Sequence, residues 1–130
     1  MNRENSKPCT PDACIFDKEE LMNRVGDDEP LCRAVLAMAL KEMPDNINKL
    51  KRGLEENDAE LTRMSAHSIK GMAANIAAHG LRDVAYEMEN AGRQEDMEKV
   101  RSLMPDLEKS LEIFQRLLYD SGLLDEAADK

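Results

Sequence analysis

Residues 58–79 read Asp58-Ala59-Glu60-Leu61-Thr62-Arg63-Met64-Ser65-Ala66-His67-Ser68-Ile69-Lys70-Gly71-Met72-Ala73-Ala74-Asn75-Ile76-Ala77-Ala78-His79. No proline interrupts them, and Leu61, Met64, Ile69, Met72 and Ile76 recur at the spacing of one helical face. Asn57 with Glu60 forms the pattern of a capping box, and Gly80 supplies a stop, so the spacing predicts a helix over about 58–79. At about 100° per residue from Leu61, the five apolar side chains centre on about 30°. His67 falls at about 240°, on the opposite face. Around it lie Gly71 at about 280°, Ala74 at about 220° and Ala78 at about 260°, flanked by Arg63 at about 200° and Lys70 at about 180°.

Working outward, Asp17 and Glu20 form a capping box for a short helix that ends near Gly26. Asp28 and Pro30 open the next, since proline is tolerated in the first turn. Leu31, Val35 and Met38 make one apolar stripe on it, and Leu36 and Leu40 a second, the pattern of a helix packed on two sides. Pro44 is expected to kink or break it before Ile47, Leu50 and Leu54 resume the pattern. After Gly80 a helix runs over Leu81, Val84, Ala85 and Met88 to Gly92. The last begins near Glu95, bends at Pro105, and continues through Leu107, Leu111, Phe114 and Leu118 to Gly122. Four long amphipathic helices with short connections define an all-α, antiparallel four-helix bundle with a short additional N-terminal helix. Residues 15–121 form the bundle, 1–14 with Pro8 and Pro11 read as a linker or frayed tail, and 122–130 as an acidic tail.

Composition agrees and narrows the function. Among the 130 residues, 15 Leu and 9 Met outweigh 4 Val, 5 Ile and 2 Thr, a helical balance. The formal charge of −9 and the absence of Trp argue against a nucleic-acid binder. The longest apolar run, residues 34–40, is far short of the ~20 residues of a membrane span, and residues 1–7 have no apolar signal core. No direct membrane insertion and a cytoplasmic location are therefore expected. Cys9, Cys14 and Cys32 are an odd number and read as reduced thiols. Neither four spaced zinc ligands nor facing Glu-x-x-His pairs appear, so no metal site is expected.

The face around His67 is unusual for a solvated one. Glycine inside a helix costs about 1 kcal/mol relative to alanine, and solvated faces normally carry long charged side chains. Small residues here leave a flat, accessible patch with an imidazole above it. Imidazole is a nucleophile near neutral pH, and Lys70 at i+3 can neutralise an anionic group attached to the ring. Arg63, Gly71, Ala74 and Ala78 thus make a patch suited to transient docking of another protein and transfer of an anion onto His67. The competing reading is an ordinary surface histidine beside a glycine that serves helix packing. His79 lacks the matching Lys and Gly, and as a residue at a helix end it would favour the C-terminal dipole when protonated.

The string from Ala66 to Ile76, with His67, Lys70, Gly71, Ala73, Ala74, Asn75 and Ile76, resembles the signature of histidine-containing phosphotransfer (HPt) domains of bacterial multistep phosphorelays. Phe16-Asp17 with Leu21 and Gly26-Asp27 is similar to the opening of that family, and Leu81 through Ala91 to its following helix. The resemblance covers about residues 15–119; Met72 stands where the family often has Ser. It implies that His67 accepts a phosphoryl group from a receiver-domain aspartate, through Nε2, and passes it to another receiver. Asn75 then belongs to the docking face. Glu89 matches a position whose side chain can approach the histidine and orient it through Nδ1–H; the other reading is a solvated Glu near Arg82 or Arg93. Implied partners are response-regulator receiver domains and a hybrid sensor kinase. Mg²⁺ would belong to the receiver, with no cofactor on this chain. There is no Walker pattern, so the chain would be a phosphotransfer intermediate and not an ATP-using enzyme. The alternative is a non-catalytic helical adaptor that docks signalling partners.

Overall fold

A computed structural model of the chain describes residues 15–123, which form helices joined by short connections, with no strand among them. The helices are α1 (Lys18–Arg24), α2 (Glu29–Glu55), α3 (Ala59–Asn75), α4 (His79–Arg93) and α5 (Met97–Ser121). Helix α3 packs against α2 on one side and α4 on the other, and α4 packs against α5. The expected linker at 1–14 and most of the expected acidic tail, 124–130, lie outside the described residues. No helix among the described residues is long and apolar enough to cross a membrane.

Aspartates start four of the helices. The side chains of Asp17, Asp28, Asp58 and Asp96 each accept a hydrogen bond from the amide three residues on. The expected cap at Asn57 is thus displaced to Asp58. Asn57 is instead a turn residue with φ +54°, as is Glu95 with φ +61° before Asp96.

The helix predicted to reach residue 79 stops at Asn75. Ala77 takes φ +58°, the Ala78 amide donates to the Ala73 carbonyl at 2.9 Å, and the Ala77 amide donates to Ala74 at 3.3 Å. This is the Schellman closure, with alanine where glycine is usual. Two expectations change. Ala78 is fully buried in the connection and does not belong to the exposed patch. His79 opens α4 instead of closing the preceding helix, so it faces the wrong dipole end for the role expected.

Neither proline ends its helix. Helices α2 and α5 run through Pro44 and Pro105. Both prolines are exposed, where water can satisfy the carbonyls left without an amide donor. Helix α2 also buries one face, not two. Cys32, Leu36, Met43, Ile47 and Leu50 line it, while Leu31 (46 % exposed) and Met38 (63 %) face solvent.

The buried face of α3 is Thr62, Ser65, Ala66, Ile69 and Ala73, centred near about 95° on the same wheel. Met64, expected in the core, is 53 % exposed. The rotation follows from size. Thr62 and Ser65 return their hydroxyls to the carbonyls of Asp58 and Leu61, both at 2.8 Å, and so bury no unmet donor. Small side chains let both neighbours approach closely. A Cβ on Gly53 of α2 would lie 2.5 Å from Thr62 Oγ1, and one on Gly92 of α4 would lie 3.2 Å from the Arg63 backbone.

Helix α1 closes one end of the bundle. The Asp17 amide donates to the Ala77 carbonyl at 3.0 Å, and Arg24 donates to the Ala74 carbonyl. His79 Nε2 lies 2.8 Å from Glu20 Oε1, and Phe16 meets Phe114 edge-on at 5.3 Å. Asp17, Glu20 and His79 bring potential metal-donor atoms within 4.8 Å of one another; the Asp17 carboxylate already caps the helix and Glu20 already holds His79.

The packing glycines are therefore Gly53 and Gly92, and not Gly71, where an added Cβ meets nothing within 4 Å. Gly53→Ala and Gly92→Ala are expected to destabilise the bundle by about 1–3 kcal/mol through overpacking. Gly71→Ala is expected to stabilise it by up to about 1 kcal/mol. Urea denaturation of the three variants checks the ordering.

Candidate functional site

Helix α3 carries His67 with 62 % of its side chain exposed. Helix α4, drawn close at Gly92, places Glu89 beside it with only 4 % of its side chain exposed. Residues Ala85, Met88, Ala91 and Gly92 bury the face of α4 to which Glu89 belongs. The carboxylate meets three cation-capable groups. His67 Nδ1 lies 2.9 Å from Oε2, Lys70 Nζ 2.8 Å from Oε1, and Arg93 Nη2 3.1 Å from Oε2. Lys70 also stands 5.6 Å above the Tyr86 ring centroid.

Burial favours the neutral form of Glu89, but the contacts from Lys70 and His67 outweigh it and hold its pKa below the ordinary value. A carboxylate accepts hydrogen bonds, so the bond geometry assigns the ring proton to Nδ1. Nε2, across the ring, then keeps its lone pair, and no described side chain bonds to it. An exposed, oriented imidazole of this kind can attack an electrophile brought by another molecule.

The structure brings together His67, Lys70 and Glu89. Gly71 and Asn75 lie exposed on the same helix, and Ala74 is half-buried with its carbonyl held by Arg24. Arg63 flanks the site but is engaged with Glu60 at 2.6 Å. Of the two arginines considered beside Glu89, Arg93 bonds to it, whereas Arg82 pairs with Asp83. Sequence reasoning missed Tyr86. It also missed a shallow groove of about 170 Å³ lined by Val35, Met38, Met72, Asn75 and Ile76, next to the small-residue face. The signal was present in the Val35–Met38 stripe, which was assigned to the core.

These features, a helical bundle with an exposed histidine on one central helix, define a class. The sequence profile described as "Hpt domain" matches residues 34–119, and the chain belongs to that family. It is 23 % identical over 105 residues to "Phosphorelay intermediate protein rdeA" of Dictyostelium discoideum, covering 81 % of this chain and 41 % of that protein. The chain thus spans about two-fifths of that relative's length. Its fold is that of the HPT domain of an Hpt sensor hybrid histidine kinase from Shewanella, with a TM-score of 0.66 at 18 % identity, over 83 % of this chain and 97 % of that one.

The Glu89 contacts make a pH prediction. Because the folded pKa is depressed, the carboxylate contributes stability that is fully present above its ordinary value of 4.5 and is lost as pH falls through the folded value. Glu89→Gln lacks this component. Its melting temperature should fall below wild type near neutrality, and the gap should close as pH falls below 4.5 through the folded value. Thermal melts of both proteins across that range measure it; a gap that stays constant would contradict the assignment.

Proposed function

We propose that this chain is a phosphorelay intermediate in the cytoplasm, in which His67 accepts a phosphoryl group from a receiver-domain aspartyl phosphate and passes it to another receiver. Membership of the Hpt domain family supports a phosphotransfer role in a phosphorelay. The single observation that carries the reading to a residue is His67, 62 % exposed, with Nδ1 held by buried Glu89 and Nε2 bonded by no described side chain.

In the step proposed, the Nε2 lone pair attacks phosphorus and an N–P bond forms. The P–O bond to the receiver's aspartate breaks, and that carboxylate leaves. Phosphoryl transfer of this kind needs mainly positioning and charge neutralisation. Lys70, one helical turn from His67, supplies a positive charge near the phosphoryl oxygens, and Mg²⁺ in the receiver's acidic pocket supplies more. Gly71, Asn75 and the exposed edge of Ala74 form the docking face, with Arg63 at its rim. The partners are receiver domains and a hybrid sensor kinase that carries one.

His67→Gln tests the reading. The side chain is outside the core, so the variant should fold, yet take no phosphate from a phosphorylated receiver. His79→Gln should accept it normally. Base-stable, acid-labile phosphate on the His67→Gln protein would overturn the assignment; docking of receivers with no phosphate on the wild type would favour the adaptor.

Gly71 gives a second test. With open space around its Cα, Gly71→Gln should keep or raise the melting temperature. By obstructing the approach to His67 it should slow transfer from a phosphorylated receiver by about tenfold, a 1.4 kcal/mol effect. Full transfer rate with Gln at 71 would remove the steric role.

A further inference from the structure

We infer that the negative charge of Glu89, beyond its hydrogen bond, keeps the phosphorylated ring of His67 protonated at Nδ1 and so holds the phosphoryl group in its readily transferred form. This rests on the reading of His67 as the phosphoryl acceptor.

The position needs only an acceptor to orient the ring, and a neutral amide would serve. The chain places a carboxylate there, 2.9 Å from Nδ1, although its burial is costly enough to require Lys70 and Arg93 as additional partners. The charge has a consequence for the product. The form of the ring that reacts carries a proton on Nδ1, towards Glu89, and a lone pair on Nε2. When Nε2 bonds to phosphorus and the aspartate leaves with the P–O electrons, no proton has moved, and the ring becomes a phosphoimidazolium with one positive charge. From that form the N–P bond breaks with neutral imidazole as the leaving group. If Nδ1 loses its proton first, the same cleavage must expel an imidazole anion, a far poorer leaving group. The protonation of Nδ1 therefore sets whether the phosphoryl group is passed on or retained.

The surroundings of the ring would otherwise strip that proton. Lys70 and Arg93 approach from α3 and α4, Arg63 stands at the rim with Glu60, and Tyr86 lies beneath Lys70. On the other flank of α3, α2 brings Lys49 and Arg52 to the groove lined by Met64, Ser65 and Ser68. No charged side chain of α5 is bonded into this cluster among the described residues. Glu89 is thus the carboxylate in contact with the ring, and it does not take the proton itself, because its contacts hold its pKa low.

The test compares wild type with Glu89→Gln, which keeps an acceptor and removes the charge. Each is phosphorylated with a phosphorylated receiver domain, and the phosphorus resonance of the phosphohistidine is followed over about pH 5 to about pH 10. The wild-type ring should titrate about one unit or more above the variant, the size of effect an opposite charge at contact produces. Transfer to an unphosphorylated receiver, measured about one unit or more above the wild-type midpoint, should fall about tenfold with Gln, matching the lost protonated fraction. Coincident titration curves, or equal transfer rates with separated curves, would overturn the inference. Should Glu89→Gln fail to fold, the reference becomes the same phosphohistidine in urea-unfolded wild type, and equal midpoints would again overturn it. Absence of phosphate from His67 in the wild type is a different result, and it removes the acceptor reading on which this one rests.

Discussion

A carboxylate withdrawn from water between two helices is unfavourable unless cations or donors meet it. Glu89 is met by groups on both helices: His67 and Lys70 on α3, Arg93 on its own. Those contacts require α3 and α4 to lie close, and the close approach requires Gly92 against the Arg63 backbone and the small buried residues Ala66, Ala73 and Ala85. The same buried charge then orients the exposed histidine. Packing and chemistry are coupled here through one side chain, since the helix spacing that buries the carboxylate also sets its reach to the ring.

Much of the bundle was legible in the sequence because its signals are local. Asp17 and Asp28 were read as helix starts from their side-chain chemistry. Asp58 and Asp96 were missed by one residue because Asn57 and Glu95, just before them, adopt the left-handed turn conformation. The end of α3 gave no signal, since Ala77 turns the chain where glycine is usual and Gly80, read as the stop, sits inside the next helix. A break at Pro44 does not occur because the proline lies on the exposed side of its helix, and the last helix continues past Pro105 as expected.

The candidate site was legible for a different reason. The wheel misplaced the core of α3 by about 65°, yet His67 remained about 145° from the true centre, so its exposure survived the error. Lys70 moved from the far face to the margin, where it reaches Glu89. The contact with Glu89 was open from sequence because the two residues are 22 apart and their meeting depends on how α3 and α4 align. Ala78 was lost from the patch for the same reason that the helix end was misread. The Val35 and Met38 stripe looked like core because apolar spacing alone does not distinguish a buried face from an exposed one.

The clasp of α1 has a mechanical side. The last carbonyls of a helix have no amides of their own helix to receive, and α1 meets two carbonyls at and just beyond the end of α3: Ala74, which also accepts the Ala77 amide, by the Arg24 side chain, and Ala77 by the Asp17 amide. Tension on the chain ahead of Asp17 is therefore borne first by those bonds and by the Glu20–His79 pair. What lies upstream pulls directly on the last turn of α3, two turns from His67, while the opposite end of the bundle is shielded from it.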